Sequence, residues 1–189
     1  MTEPRNLLDL PADLPVPVDD GACDHLPGMR LPSLALPATD GRPVDLSTLS
    51  GRSIVYAYPR TGRPDQPLPA GWDEIPGARG CTPQSCAYRD LAAELGALGA
   101  RVFGLSTQDT VYQQEAAERL HLPFPLLSDE RRERTTALSL PTFEVDGMTL
   151  IKRLTLVIDD GAIETVFYPI FPPDADAARV AAWLREHQT

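Results

Sequence analysis

The chain has 189 residues, of which 42% are hydrophobic and 23% charged, enough for one domain with a real core and some length left over. A formal net charge of −10 sets the surface against phosphate backbones and anionic lipid, so no nucleic-acid and no membrane partner is expected. No run of 18 apolar residues is present, and the start, Met1-Thr2-Glu3-Pro4-Arg5-Asn6, lacks the basic and apolar regions of a signal peptide, so a cytoplasmic protein is expected.

Residues 1–30 carry Pro4, Pro11, Pro15, Pro17 and Pro27 among acidic residues and read as an irregular extension wrapped on the domain. From Leu31 the pattern becomes regular. Leu34-Ala35-Leu36 and the segment after Asp40-Gly41 read as two short strands around a turn. Ser53 to Tyr58 is a buried strand ending at Pro59. Residues 60–80 hold four prolines and several glycines and form a long loop, the kind that tends to carry function.

The clearest helix of the first half follows, with Thr82 placed to cap it and Pro83 at its first position. Tyr88, Leu91, Ala92, Leu95 and Leu98 share one face of it. Arg101 to Ser106 is a strand, followed by a helix over 110–120 and a short one within 130–138. Lys152 to Ile158 and Ala162 to Tyr168 make a hairpin around Asp159-Asp160-Gly161. A last helix starts near Asp174 and is expected to bury Val180, Trp183, Leu184 and His187 at helical spacing. This order implies an α/β fold, a mixed sheet covered by helices on both faces.

Gly80-Cys81-Thr82-Pro83-Gln84-Ser85-Cys86 is the chemically informative segment. Cys81 stands where the free amides and positive end of the helix favour an anion. A free cysteine is only about 3% thiolate at pH 7. Turning it mostly to thiolate takes roughly 3.4 kcal/mol, and a helix terminus supplies up to about 2 kcal/mol. A nucleophilic cysteine here therefore also needs a cation, and Arg79 is one candidate.

Residues i and i+5 of a helix lie about 7.5 Å apart along the axis and about 140° apart around it, which sets their Cα atoms roughly 8.6 Å apart. A disulfide tolerates no more than about 7 Å. Cys81 and Cys86 can pair only if the first turns unwind, which suits a switching site better than a brace. Two ordinary buried thiols, or a zinc site drawing on Cys23, His25, Cys81 and Cys86, are alternatives, although the spacings suit zinc poorly. The thioredoxin-type Cys-x-x-Cys is absent. With three cysteines, an odd number, a structural disulfide framework is not expected.

In this region the chain resembles the peroxiredoxins, and especially their Q-type or bacterioferritin-comigratory group. The Gly-Cys-Thr-x-Gln run at Gly80–Gln84, the Tyr58-Pro59 strand end, Val102–Ser106, Phe124–Asp129 and Arg153–Asp159 carry the resemblance, which spans residues 31–189. It implies a thioredoxin-like domain with an N-terminal extension and an inserted loop at about 61–75. It also implies a peroxidatic Cys81, a resolving Cys86 and an Arg153 that stabilises thiolate and peroxide. The substrates implied are hydrogen peroxide and organic hydroperoxides. The disulfide would be recycled by thioredoxin or a similar dithiol, with no metal or other cofactor and with the protein acting as a monomer.

Two departures stand out. The family's Pro-x-x-x-Thr-x-x-Cys has Ala78 in place of the threonine, and Pro59 lies twenty-two residues before Cys81. Pro59 and Thr61, at the start of the loop, are the candidate peroxide-binding residues. Cys23 is expected to be a bystander, and His25, His121 and His187 structural or surface residues. Trp72 is expected either to cover the pocket or to make an exposed packing contact. A redox sensor on the same fold, reacting once without turnover, is the alternative.

Overall fold

The computed structural model describes residues 6–188; the rest of the proline-rich start, Pro4 included, lies outside them. In chain order the strands are β1 (Ala35–Leu36), β2 (Val44–Asp45), β3 (Arg52–Ala57), β4 (Ala100–Ser106), β5 (Leu126–Ser128), β6 (Thr142–Val145), β7 (Met148–Ile151), β8 (Leu154–Asp159) and β9 (Ala162–Phe167). The α-helices are α1 (Cys81–Ala97), α2 (Thr110–Arg119), α3 (Glu133–Ala137) and α4 (Asp176–Glu186).

The central sheet has the order β5-β4-β3-β8-β9, with β3, β4 and β5 parallel and β8 antiparallel to both β3 and β9. Alternation along β3 divides its side chains between two cores, as a strand's period of two requires. Ile54 and Tyr56 join Tyr88, Leu95, Val157, Val180 and Leu184 in the layer under α1 and α4. Val55 and Ala57 join Leu26, Leu36, Leu46, Leu138 and Leu156 on the opposite face. That second face is covered by residues 23–49 and by Leu138 and Leu140 just after α3, so much of its lid is irregular chain rather than helix. Cys23 and Leu26 are buried in that core, and Arg30 bridges to Ala162, which ties the later part of the extension to the sheet.

Two hairpins turn on Asp-Gly pairs whose residues are both left-handed, the arrangement that suits the twist of a two-residue connection. The β8–β9 turn uses Asp160 (φ 46°) and Gly161 (φ 74°). A Cβ on Gly161 would lie 2.4 Å from the Ser47 carbonyl oxygen, so glycine is required there for space as well. The β6–β7 turn uses Asp146 (φ 49°) and Gly147 (φ 73°). This second hairpin was not expected from the sequence, because its strands are only four residues long and half-exposed. It packs Phe143 against Trp72, with ring centroids 6.2 Å apart, and thereby supports the inserted loop from below. Trp72 is thus a buried packing residue.

The last helix also differs from expectation. It is preceded by a 3-10 turn at Pro173–Ala175, and His187 is exposed at its C-terminal end, stacked on Trp183. The helical spacing places His187 beside Trp183, but the helix ends there, and the carbonyl of the exposed His187 accepts from Arg52 Nη1 at the start of β3.

Candidate active site

Strand β3 runs out at Tyr58-Pro59, and the chain returns through the loop to Gly80, immediately before α1. Gly80 is left-handed (φ 104°), and a Cβ there would lie 2.3 Å from Pro173 Cγ, so only glycine fits. It, and not Thr82, is the N-cap, which makes Cys81 the first helical residue, Thr82 the second and Pro83 the third. Proline is tolerated at that position because the amide it lacks is one of those a helix leaves unpaired at its start. The first helical bond is Gln84 N–H to Gly80 O at 3.0 Å. With no amide at Pro83 to claim it, the Arg79 carbonyl accepts from Arg153 instead, at 3.1 Å.

Arg153 lies just before β8 and is 3% exposed. Its Nη2 stands 3.2 Å from Cys81 Sγ and donates also to the carbonyls of Gly77 (3.2 Å) and Ala78 (3.1 Å). Its Nη1 bonds Gln84 Oε1. One guanidinium thus holds the last turn of the loop, the first turn of α1 and the sulfur together. The Cys81 thiol, 3% exposed, also approaches Ala78 O at 3.7 Å. Where the family's threonine would offer a hydroxyl, Ala78 contributes its backbone carbonyl to the arginine. Beneath the cysteine lies an aromatic floor, with Tyr56 stacked on Tyr88 at 4.4 Å and Tyr56 O–H donating to Ser85 Oγ at 3.1 Å.

Cys86 is 9% exposed on the same helix, and both thiols are free. Burial pushes the Cys86 thiol up, only partly offset by Arg89. In the helical state it is a poor nucleophile, and the helix also holds it away from Cys81.

The second candidate cation, Arg79, turns away from the sulfur. Its Nη1 bonds Asp73 Oδ1 at 3.2 Å, and its Nη2 donates to Asn6 O (3.4 Å) and Asp9 O (3.2 Å). It anchors the extension to the inserted loop. Pro59 is buried at the end of β3. Thr61 is buried too, but its N–H donates to Gln108 Oε1 at 3.2 Å, its hydroxyl meets the same oxygen at 3.4 Å, and its carbonyl accepts from Tyr112 O–H at 2.9 Å. Its hydroxyl is thus directed to Gln108, and no hydrogen bond joins it to Cys81 among the described residues.

Cys23 sits in the opposite core, its thiol pushed up to about 12 by burial and then by Asp20 and Asp19. His25 bonds the Leu138 carbonyl at 2.8 Å through Nε2. The set Cys23, His25, Cys81 and Cys86 is therefore not assembled, and no cluster of three metal-ligating side chains occurs among the described residues. His121 is exposed.

A buried carboxylate behind the site was not foreseen. Asp176 Oδ2 accepts from Gln84 Nε2, Tyr88 O–H and Thr155 Oγ1–H, each at 2.8 Å. Burial pushes this carboxyl up; the three donors and then the Arg153 charge pull it back. In the sequence, Asp176 looks like an ordinary acidic residue in a helix's first turn.

A free cysteine at a helix start with an arginine on its sulfur, carried on a thioredoxin-like sheet, defines a thiol-based redox protein. The Redoxin family model matches residues 26–183, and the chain belongs to that family as a peroxiredoxin of the Q/Bcp group. It is 35% identical over 149 residues to peroxiredoxin Q, chloroplastic, of Oryza sativa subsp. japonica, covering 78% of this chain but only 61% of the rice protein's length. It is 34% identical over 161 residues to peroxiredoxin Bcp of Escherichia coli K12, covering 82% of this chain and 93% of the relative. Peroxidoxin BcpB of Mycobacterium tuberculosis superposes with a TM-score of 0.70 at 29% identity, over 87% of this chain and all of that one (100%).

Proposed function

We propose that the protein is a thiol peroxidase that reduces hydrogen peroxide and organic hydroperoxides. The observation that carries this reading is the Arg153 Nη2 to Cys81 Sγ contact of 3.2 Å at the start of α1. A guanidinium and a helix N-terminus together bring positive charge and N–H donors to the reacting sulfur. The Cys81 thiolate attacks one peroxide oxygen, the O–O bond breaks, and water or an alcohol leaves after taking a proton. Sulfur loses two electrons to the peroxide and becomes a sulfenic acid. Arg153, fixed by three loop carbonyls, has a donor near both the sulfur and the incoming oxygens.

Resolution needs the first turn of α1 to open. Cys86, exposed by that opening and no longer held up by burial, attacks the sulfenic sulfur; an S–S bond forms and water leaves. A protein dithiol such as thioredoxin then reduces the Cys81–Cys86 disulfide by exchange. The protein is read as a monomer working in a reducing, cytoplasmic setting, where its free thiols persist.

The test is steady-state consumption of hydrogen peroxide and cumene hydroperoxide with a thioredoxin system. Wild type turns over, and Cys81→Ser does not, because an alcohol offers no accessible anion at neutral pH. Consumption that stops after one equivalent of peroxide would favour a sensor, and activity retained in Cys81→Ser would move the nucleophile elsewhere.

A further inference from the structure

The Gln84 side chain is gripped at both ends of its amide. Oε1 accepts from Arg153 Nη1, and Nε2 donates to Asp176 Oδ2 at 2.8 Å. A primary amide has one accepting end and one donating end, so the carboxylate decides which end faces the guanidinium. Turned the other way, the amide would set two donors against each other. Asp176 is itself fixed, being 0% exposed and bonded to Tyr88 from α1 and Thr155 from β8. Gln84 lies three residues after Cys81, within the stretch that must unwind before the two sulfurs meet, and its own N–H makes the first helical bond, to Gly80 O.

We propose that Asp176 is a positioning residue that acts twice through Gln84: it aims Arg153 at Cys81, and it latches the first turn of α1 against unwinding. The latch sets how quickly oxidised Cys81 is handed to Cys86. A slow handover leaves the sulfenic acid open to a second peroxide, which oxidises it by two more electrons to sulfinic acid while its own O–O bond breaks. This inference rests on the thiol-peroxidase reading with Cys86 as the resolving residue.

The test compares wild type with Asp176→Asn, which keeps the side chain's shape and weakens its hold on Gln84. In stopped-flow oxidation by hydrogen peroxide, sulfenic acid formation should slow by about ten-fold, the scale of one hydrogen bond to a charged group. Disulfide formation should quicken by about as much, and the sulfinic fraction at a given peroxide dose should fall. Amide exchange of peptides spanning 81–87 in the reduced protein, without peroxide, should show opening about ten-fold more frequent.

A carboxylate that merely supports the fold would lower the melting temperature and move both chemical steps the same way. That result, or unchanged exchange with an unchanged ratio of the two rates, overturns the proposal. Should Asp176→Asn fail to fold, Gln84→Asn carries the same expectations. Its side chain is too short to span Arg153 and Asp176, and Tyr88 and Thr155 keep the carboxylate satisfied. The exchange arm needs no peroxide. A wild type without peroxidase activity would therefore sink the functional reading while leaving the latch measurable.

Discussion

At the scale of the residue, Arg153 serves two purposes that a sequence reading separates. As a cation it stands against the Cys81 sulfur, and as a fork of donors it holds the carbonyls of Gly77, Ala78 and Arg79. Arg153→Met should therefore slow the reaction of Cys81 with peroxide and with iodoacetamide at pH 7 by about ten-fold or more, the usual effect of removing an adjacent opposite charge. It should also destabilise the protein by about 1–3 kcal/mol through buried carbonyls left unpaired. Arg153→Lys should restore part of the rate but not the stability, since an ammonium lacks the planar fork. Chemical denaturation and alkylation kinetics on the two variants check both halves; wild-type kinetics in Arg153→Met would remove the residue from the site.

The three cysteines should separate just as sharply. With its thiol pushed up to about 12 and its side chain in the core, Cys23 should resist iodoacetamide at pH 8 in the folded protein while Cys81 is labelled. Mass spectrometry of the labelled peptides reads this directly, and Cys23→Ser should leave turnover near wild type.

At the scale of the element, the proposed disulfide step requires the start of α1 to open. Its start has a glycine cap with no side-chain hydrogen bond and a proline at its third position, so few bonds within the helix hold the first turn. What holds it is tertiary: Arg153 on Gln84 and on the sulfur, and Asp176 behind. Oxidation of wild type by one equivalent of peroxide should therefore reduce far-UV helicity by about one to two turns, the stretch from Cys81 to Cys86. Cys86→Ser should keep the helical signal after oxidation and accumulate sulfenic, then sulfinic, acid. Helicity lost to the same degree in Cys86→Ser would detach the unwinding from the disulfide. Gly80 caps this start in a left-handed conformation with no room for a side chain beside Pro173 and Leu10, and Gly80→Ala should destabilise the reduced form by at least about 1 kcal/mol from backbone strain alone.

At the scale of the whole molecule, the extension and the hairpins decide how the site is enclosed. Asp20, held at about 2 by Lys152 and Tyr168, ties the extension to the chain on either side of the β8–β9 hairpin. Its folded value lies below the ordinary 3.8. The stability it adds is thus fully present above about pH 4 and is lost as pH falls through about 2. Labelling of Cys23 by 4,4′-dithiodipyridine, which reacts in acid, should accelerate across that window. Asp20→Asn should remove the step; an unchanged profile in the variant would place the anchor elsewhere.

The candidate nucleophile, its proposed partner on the same helix and the call for a cation beside them were all read from the sequence, and the structure places Arg153 on the Cys81 sulfur. Each follows from local geometry: a cysteine before a helix, a spacing of five and the size of a helix dipole. The Asp160-Gly161 hairpin and the strands flanking it were legible for the same reason. Which arginine answers the cation requirement was not local, because Arg79 and Arg153 differ only in where the chain folds them. Two residues from Cys81, Arg79 turns to Asp73 and the extension, while Arg153, seventy-two residues away, reaches the sulfur. Asp176 was hidden on the same ground. An acidic residue in a helix's first turn satisfies local rules by itself, and only the packing of α4 against α1 and β8 converts it into the buried acceptor behind Gln84. The sequence by itself determined the chemistry that one helix turn can offer. The tertiary structure decided which distant charges and acceptors surround it, since contacts between remote segments leave no period in the chain.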